Sequence, residues 1–234
     1  MSGKPDVQAI APRWAKPVIV LLTVLLAWFA VDRYATGLSG HKRAFEVLAP
    51  DYGVRQLDVL ASLPITEFLH RIGGTILLAA GLLQFSAKLR RARPKLHRAI
   101  GYVYVVLAIS AGCSGIYLGV RVPFAGLAET IPAVLFGGAL IVTTVVALNH
   151  ARRRRFEIHR EWMVRSFAFT LGPIAQRVFY LPAWSVFGID EHDAMWIGFW
   201  LGWGSTYGAA ELWIAARKRR LRALRDAKLV ESGQ

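Results

Sequence analysis

Apolar residues in this chain come in long runs, and most polar residues fall in the gaps between them. A helix needs roughly 20 mostly apolar residues to cross the hydrocarbon core of a bilayer. Six stretches approach that length: 17–31, 65–87, 99–120, 131–149, 162–186 and 194–216. The first is short. The fifth is the least apolar and holds Arg165 and Arg177. The sixth is dense in aromatics, with Trp196, Phe199, Trp200, Trp203, Tyr207 and Trp213. The pattern predicts an all-α polytopic membrane helix bundle of about six transmembrane helices. The gaps after helices two to five are short, so consecutive helices should be antiparallel neighbours.

The gaps then sort by charge. Lys88, Arg90, Arg91, Arg93 and Lys95 fill one, Arg152 to Arg155 another, and Arg217, Lys218, Arg219 and Arg220 follow the last run. The intervening gaps are poor in Lys and Arg. Of the 29 basic residues, 22 fall on one side of a six-span layout. Basic loops face the cytoplasm in multi-pass membrane proteins. Both termini are therefore expected there: an N-tail over 1–16, a membrane domain over 17–216 and a basic tail over 217–234. Residues 33–64 form a long outer loop. Arg13 and Lys16 precede the first run as they would in a signal peptide, but Asp32-Arg33-Tyr34 follows it instead of a small-residue cleavage site, which favours an uncleaved anchor.

Composition narrows the classes further. The chain is 55% hydrophobic, with a net charge of +14. Such a charge could serve a nucleic acid, but the basic residues flank apolar runs and do not form one face. Anionic lipid headgroups are the expected partner, and no nucleic acid is expected. Cys113 is the one cysteine, so no internal disulfide can form. Glycine occurs 21 times. In a bilayer small residues let helices approach closely, so glycine-rich faces could also support oligomers.

Ionisable residues near the membrane are the best pointers to chemistry. Three His-Arg pairs occur: His70-Arg71 near the outer end of helix two, His97-Arg98 opening helix three, and His159-Arg160 before helix five. His150 closes helix four. A neutral imidazole can ligate iron, and a neighbouring arginine can pair with a haem propionate. His97, His150 and His159 share the cytoplasmic boundary, with Arg98 and Arg160 beside them. Only the loop residues His41 and His192 could join His70 at its depth, so a two-haem relay has little support. One b-type haem, or a quinone, near the inner boundary is the leading expectation for electron transfer. A metal site from Glu157, His159, Glu161, His97 and His150 competes weakly, because its spacing matches no standard motif. Gly101, Gly112, Gly115 and Gly119 share a face with His97 and Tyr104, as either a flat macrocycle or plain helix packing would require.

The outer side offers another class of function. Glu67, His70, Arg71 and Arg177 could line an outward-facing polar cavity of a non-enzymatic carrier or lipid-interacting protein, with Arg177 either binding an anionic group or pairing with Glu67. Glu211, nearer the inner surface, has Arg160 or Arg165 available to neutralise it. No Walker, Rossmann or hydrolase motif is present, and no catalytic residue is assigned.

The blocks Glu67-Phe68-Leu69-His70-Arg71-Ile72-Gly73-Gly74, Gln84-Phe85, Arg93-Pro94-Lys95-Leu96-His97-Arg98-Ala99-Ile100-Gly101-Tyr102-Val103-Tyr104 and His159-Arg160-Glu161-Trp162-Met163-Val164-Arg165-Ser166 occur in that order. Together they resemble a family of bacterial multi-pass membrane proteins classed as a domain of unknown function. The likeness covers about 64–211. It implies an integral protein of the bacterial inner membrane and carries no agreed substrate.

Overall fold

The computed structural model describes residues 61–231, together with Val24, Ala35, Asp58 and Val59. Apart from these, the first apolar run and most of the long loop over 33–64 lie outside the described residues. Within them the chain is helical: α1 (Pro64–Gln84), α2 (Ala87–Ala92), α3 (Pro94–Arg121), α4 (Leu127–Arg152), α5 (Phe156–Ser185) and α6 (Glu191–Glu231).

Local chemistry sets several boundaries. Pro64 and Pro94 open α1 and α3 at the first helical turn, where a missing N–H costs nothing. Ser86 caps α2, its Oγ accepting from the Leu89 N–H at 3.2 Å. Gly126, at φ +58°, turns the chain into α4. Glu129 then holds that turn, its carboxylate accepting from the Phe124 and Ala125 N–H groups at 2.6 and 3.2 Å.

The five long helices pack in chain order. Each of α3, α4, α5 and α6 lies against the one before it, with α1 on α3 and also touching α5. The core draws on Leu77 and Leu78 from α1, Tyr104 and Ala108 from α3, Leu140 and Ala147 from α4, and Met163 and Phe167 from α5. Outside, the bundle wears large apolar residues, among them Phe68, Val106, Val142, Val178 and Leu212. A water-exposed surface rarely shows so many.

Two helices, α3 and α4, are long and apolar enough to cross a membrane by length and composition. In the other long helices, polar side chains such as Glu67, His70 and Arg71 in α1 and Arg165, Gln176 and Arg177 in α5 dilute the apolar character. The helices also outrun the apolar stretches that announce them. Helix five begins at Phe156, six residues before its apolar run, and α6 continues through the basic tail to Glu231. Short α2 folds within the basic gap between α1 and α3, where no helix is expected from the apolar pattern.

Candidate functional site at the arginine-rich end

His97 sits in the first turns of α3, His150 in the last turn of α4 and His159 in the first turns of α5. All three are half-buried at one end of the bundle. Seven residues along from His97 lies Tyr104, seven along from His159 lies Ser166, and six back from His150 lies Thr144. Those three hydroxyls meet in the core. The Tyr104 hydroxyl lies 2.8 Å from Ser166 Oγ and 3.2 Å from Thr170 Oγ1, and Ser166 Oγ lies 2.7 Å from Thr144 Oγ1. The hydroxyl layer thus fixes the register of α3, α4 and α5. It sets the histidine layer about 10 Å away along the same three helices.

Each imidazole is held differently. His159 Nδ1 lies 2.8 Å from the Ala147 carbonyl oxygen. A carbonyl can only accept, so Nδ1 carries the proton and a neutral ring keeps its lone pair on Nε2. Burial holds His159 below the usual imidazole value. The Ala147 carbonyl opposes that shift, and the charges of Arg160 and Arg90 reinforce it. The Nδ1 atoms of His97 and His150 are buried and meet no partner among the described residues. Gln84, at the end of α1, donates from Nε2 to the His97 carbonyl at 3.0 Å, pinning α1 to the start of α3.

The cationic neighbours differ in part from those the pairing suggests. Arg160 is half-buried and lies 3.7 Å from Glu157. Arg98 is exposed and makes no ion pair among the described residues. Arg160 acts on His159 as the pairing suggests, and Arg90, on α2, adds a further charge that acts on His97, His159, Glu157 and Arg160. Only the unexpected α2 brings it there.

The carboxylates at this end are occupied. Glu157 accepts a hydrogen bond from buried Arg217 of α6, and Glu161 pairs with Lys218 at 2.8 Å. Partial burial pushes the Glu157 carboxyl up. The Arg217 hydrogen bond and the charges of Arg160, Arg217 and Arg90 outweigh that and hold it below its ordinary value. Among the described residues no three His, Cys, Asp or Glu side chains are placed to hold a metal ion. Deeper in, Arg165 meets Glu211 through two hydrogen bonds of 2.6 and 3.0 Å.

Below the histidines the glycine faces are filled by neighbours. A Cβ on Gly81 would collide with the Phe167 ring, and one on Gly112 would lie 2.9 Å from the Gly137 carbonyl oxygen. One on Gly101 would lie 3.4 Å from Gln84. Gly115 alone on that α3 face meets nothing within 4 Å. Close helix packing, and not a slot for a macrocycle, accounts for Gly81 and Gly112.

The opposite end of the bundle holds the polar cluster that the sequence assigns to the outer side. Glu67 is buried and lies 3.5 Å from Arg71, one turn along α1. His70 Nδ1 lies 3.3 Å from Ser114 Oγ on α3. Arg177 donates to the Pro173 carbonyl at 2.8 Å and to Gln176 Oε1 at 3.2 Å. The expected Arg177–Glu67 pair does not form; Arg71 takes the carboxylate because it stands four residues away on the same helix.

Residues 67–214 match the family described as predicted membrane protein (DUF2306). The chain belongs to this family. The matched span opens at Glu67 and closes just after Glu211, so it contains the three boundary histidines, the hydroxyl layer and His70, Ser114 and Arg177, but not Arg217 or Lys218. No curated protein and no solved structure matches the chain.

Proposed function

We propose that this is a six-span protein of the bacterial inner membrane, with both termini cytoplasmic, that binds one redox cofactor at its arginine-rich end. A quinone ring is the cofactor favoured. The observation that carries this reading is the trio of imidazoles at one level. His159 is oriented by the Ala147 carbonyl with Nε2 bare, and His97 and His150 each have a buried Nδ1 without a partner. Neutral imidazoles of this kind can donate to a quinone carbonyl or accept from a quinol hydroxyl. Arg90 and Arg160 would stabilise negative charge on the ring oxygens. The packing around Gly81 and Gly112 favours a small ring at the boundary over a macrocycle inserted between helices.

One b-type haem is the second reading, favoured by the His159–Ala147 bond. Imidazoles that ligate metals typically donate their other ring N–H to a carbonyl or carboxylate. One experiment separates the two. The protein is purified in detergent, its absorbance recorded and its lipid extract assayed for quinone, for the wild type and His159→Ala. Quinone that is retained by the wild type and lost in the variant supports the first reading. A Soret band lost in the variant supports the second. A colourless protein without quinone removes both. The topology has its own test. In a Cys113→Ser background, single cysteines at Arg153 and Gly126 should react with an impermeant maleimide from opposite faces of sealed vesicles. Labelling of both from one face would refute the layout.

A further inference from the structure

The outer cluster rests on observations independent of the cofactor site. Ser114 Oγ donates its one proton to the Ala111 carbonyl at 3.1 Å. Towards His70 it can therefore only accept, so His70 Nδ1 is the donor. That leaves the neutral ring's lone pair on Nε2, and no donor among the described residues meets it. Arg177 lies on α5, which touches α1, and Arg71 adjoins His70 in sequence; the charges of both act on the ring. The Arg177 guanidinium bonds only a carbonyl and an amide oxygen, both neutral. Glu67 is engaged with Arg71. The charge of Arg177 thus meets no carboxylate among the described residues. An arginine within a span pairs with a counter-charge or with backbone carbonyls; Arg177 has the carbonyl and, being exposed, keeps its charge available to an anion.

Depth agrees across three helices. His70 lies six residues from the start of α1, Ser114 seven from the end of α3 and Arg177 eight from the end of α5, at the same end of the bundle. Each is about 10 Å along its helix from that end. A ligand matching this set must offer a hydrogen-bond donor to His70 Nε2 and a negative charge to Arg177. A carboxylate has the charge without the donor. A quinol has the donor without the charge. A phosphodiester lacks the P–OH, and without a headgroup hydroxyl or ammonium it lacks the donor altogether.

We propose that His70, Ser114 and Arg177 form a binding site for a singly protonated phosphate monoester or phosphate ion, whose P–OH donates to His70 Nε2 while its charged oxygens pair with Arg177. Two sources carry that chemistry, free inorganic phosphate and a monoester lipid headgroup, and they are told apart by experiment. Thermal stability of the protein is measured in nanodiscs of neutral phosphatidylcholine. Additions are inorganic phosphate, 10% phosphatidate (a monoester) or 10% phosphatidylmethanol (a diester without a headgroup donor), each on wild type, Arg177→Gln and Ser114→Ala. Saturable stabilisation by phosphate assigns the free ion, and by phosphatidate alone the lipid. Either effect should weaken at least tenfold in Arg177→Gln and severalfold in Ser114→Ala, which lets the His70 proton move. Should Arg177→Gln fail to fold, Ser114→Ala decides. No stabilisation by either monoester probe, equal stabilisation by the diester, or variants that respond like wild type would each overturn the proposal. Cofactor content of the same wild-type samples reports on the other end of the bundle, so the two readings fail separately.

Discussion

The Tyr104 hydroxyl sits 2.8 Å from Ser166 Oγ, and both side chains are fully buried. Thr144 Oγ1 donates to the Leu140 carbonyl at 2.7 Å, so Ser166 donates to Thr144. Thr170 gives its proton to the Ser166 carbonyl at 3.1 Å. Tyr104 must then be the donor to Ser166 and Thr170. The protons run one way and end on a backbone carbonyl, as suits a clamp between helices.

Removing the clamp therefore has an ordered cost. Tyr104→Phe deletes a donor and should destabilise the protein by about 1 kcal/mol, the scale of hydrogen bonds between membrane helices. Ser166→Ala should cost about 1–2 kcal/mol, because it leaves the buried Tyr104 O–H only its longer bond to Thr170 at 3.2 Å and takes a donor from Thr144. The double variant should cost less than the sum, since the two residues share one interaction. Denaturant unfolding in detergent reads all three. Strict additivity would show that the hydroxyls act independently.

Glycine packing gives a second prediction. A Cβ on Gly202 would lie 2.5 Å from the Gln176 backbone nitrogen and 2.6 Å from its Cα, atoms that cannot rotate away. Gly202→Ala should cost about 3 kcal/mol, at the upper end for overpacking, and loosen α6 from α5. Gly172→Ala, which meets the Trp203 indole, should cost less because a side chain can shift. Gly115→Ala, with nothing within 4 Å, should be neutral or slightly stabilising through its gain in helix propensity. Melting temperatures of the three variants test the order.

The sequence made the helices legible because lipid-facing runs must be apolar along their length. It also made the basic clusters legible, and Arg165 as one of two candidate partners for Glu211. Other features were hidden for physical reasons. Helix ends that project past the apolar layer are polar, so α5 and α6 reach further than their apolar runs. Helix α2 is only six residues long and carries no apolar period, so Arg90 gave no sign of turning towards the histidines. The hydroxyl clamp joins residues 22 and 62 apart in sequence, a pairing that periodicity on one helix cannot reveal. Arg177 and Glu67 were an attractive pair by depth, but Arg71 stands closer to the acid.

Ion pairs at the arginine-rich end should differ in weight. The Arg217 side chain is 7% exposed and its partner Glu157 is 66% exposed. Glu157→Gln leaves a buried cation with a weaker acceptor, and about 1–2 kcal/mol should be lost after allowing for the solvent around Glu157. Lys218, 48% exposed, can hydrate on its own, so Glu161→Gln should cost about 0.5 kcal/mol or less. Hydrogen exchange over residues 217–231 should quicken in Glu157→Gln and stay near wild type in Glu161→Gln. The reverse order would show that Arg217 is not what ties α6 to α5.

A pH dependence follows from His159. Burial is the main cause that holds its imidazole below the ordinary value of 6.5, with the Ala147 carbonyl opposing and Arg160, His150 and Arg90 reinforcing. The folded ring therefore resists a proton that the unfolded chain accepts. This contribution to stability is complete above the unfolded value and is lost as pH falls below about 6.5. Melting temperature should drop between pH 7.5 and 5.5. His159→Gln cannot take up the proton, so its melting temperature should fall less over the same range. Equal slopes for the two proteins would mean that His159 is no less basic folded than unfolded, and that the neutral imidazole needed to face a cofactor is not secured by the fold.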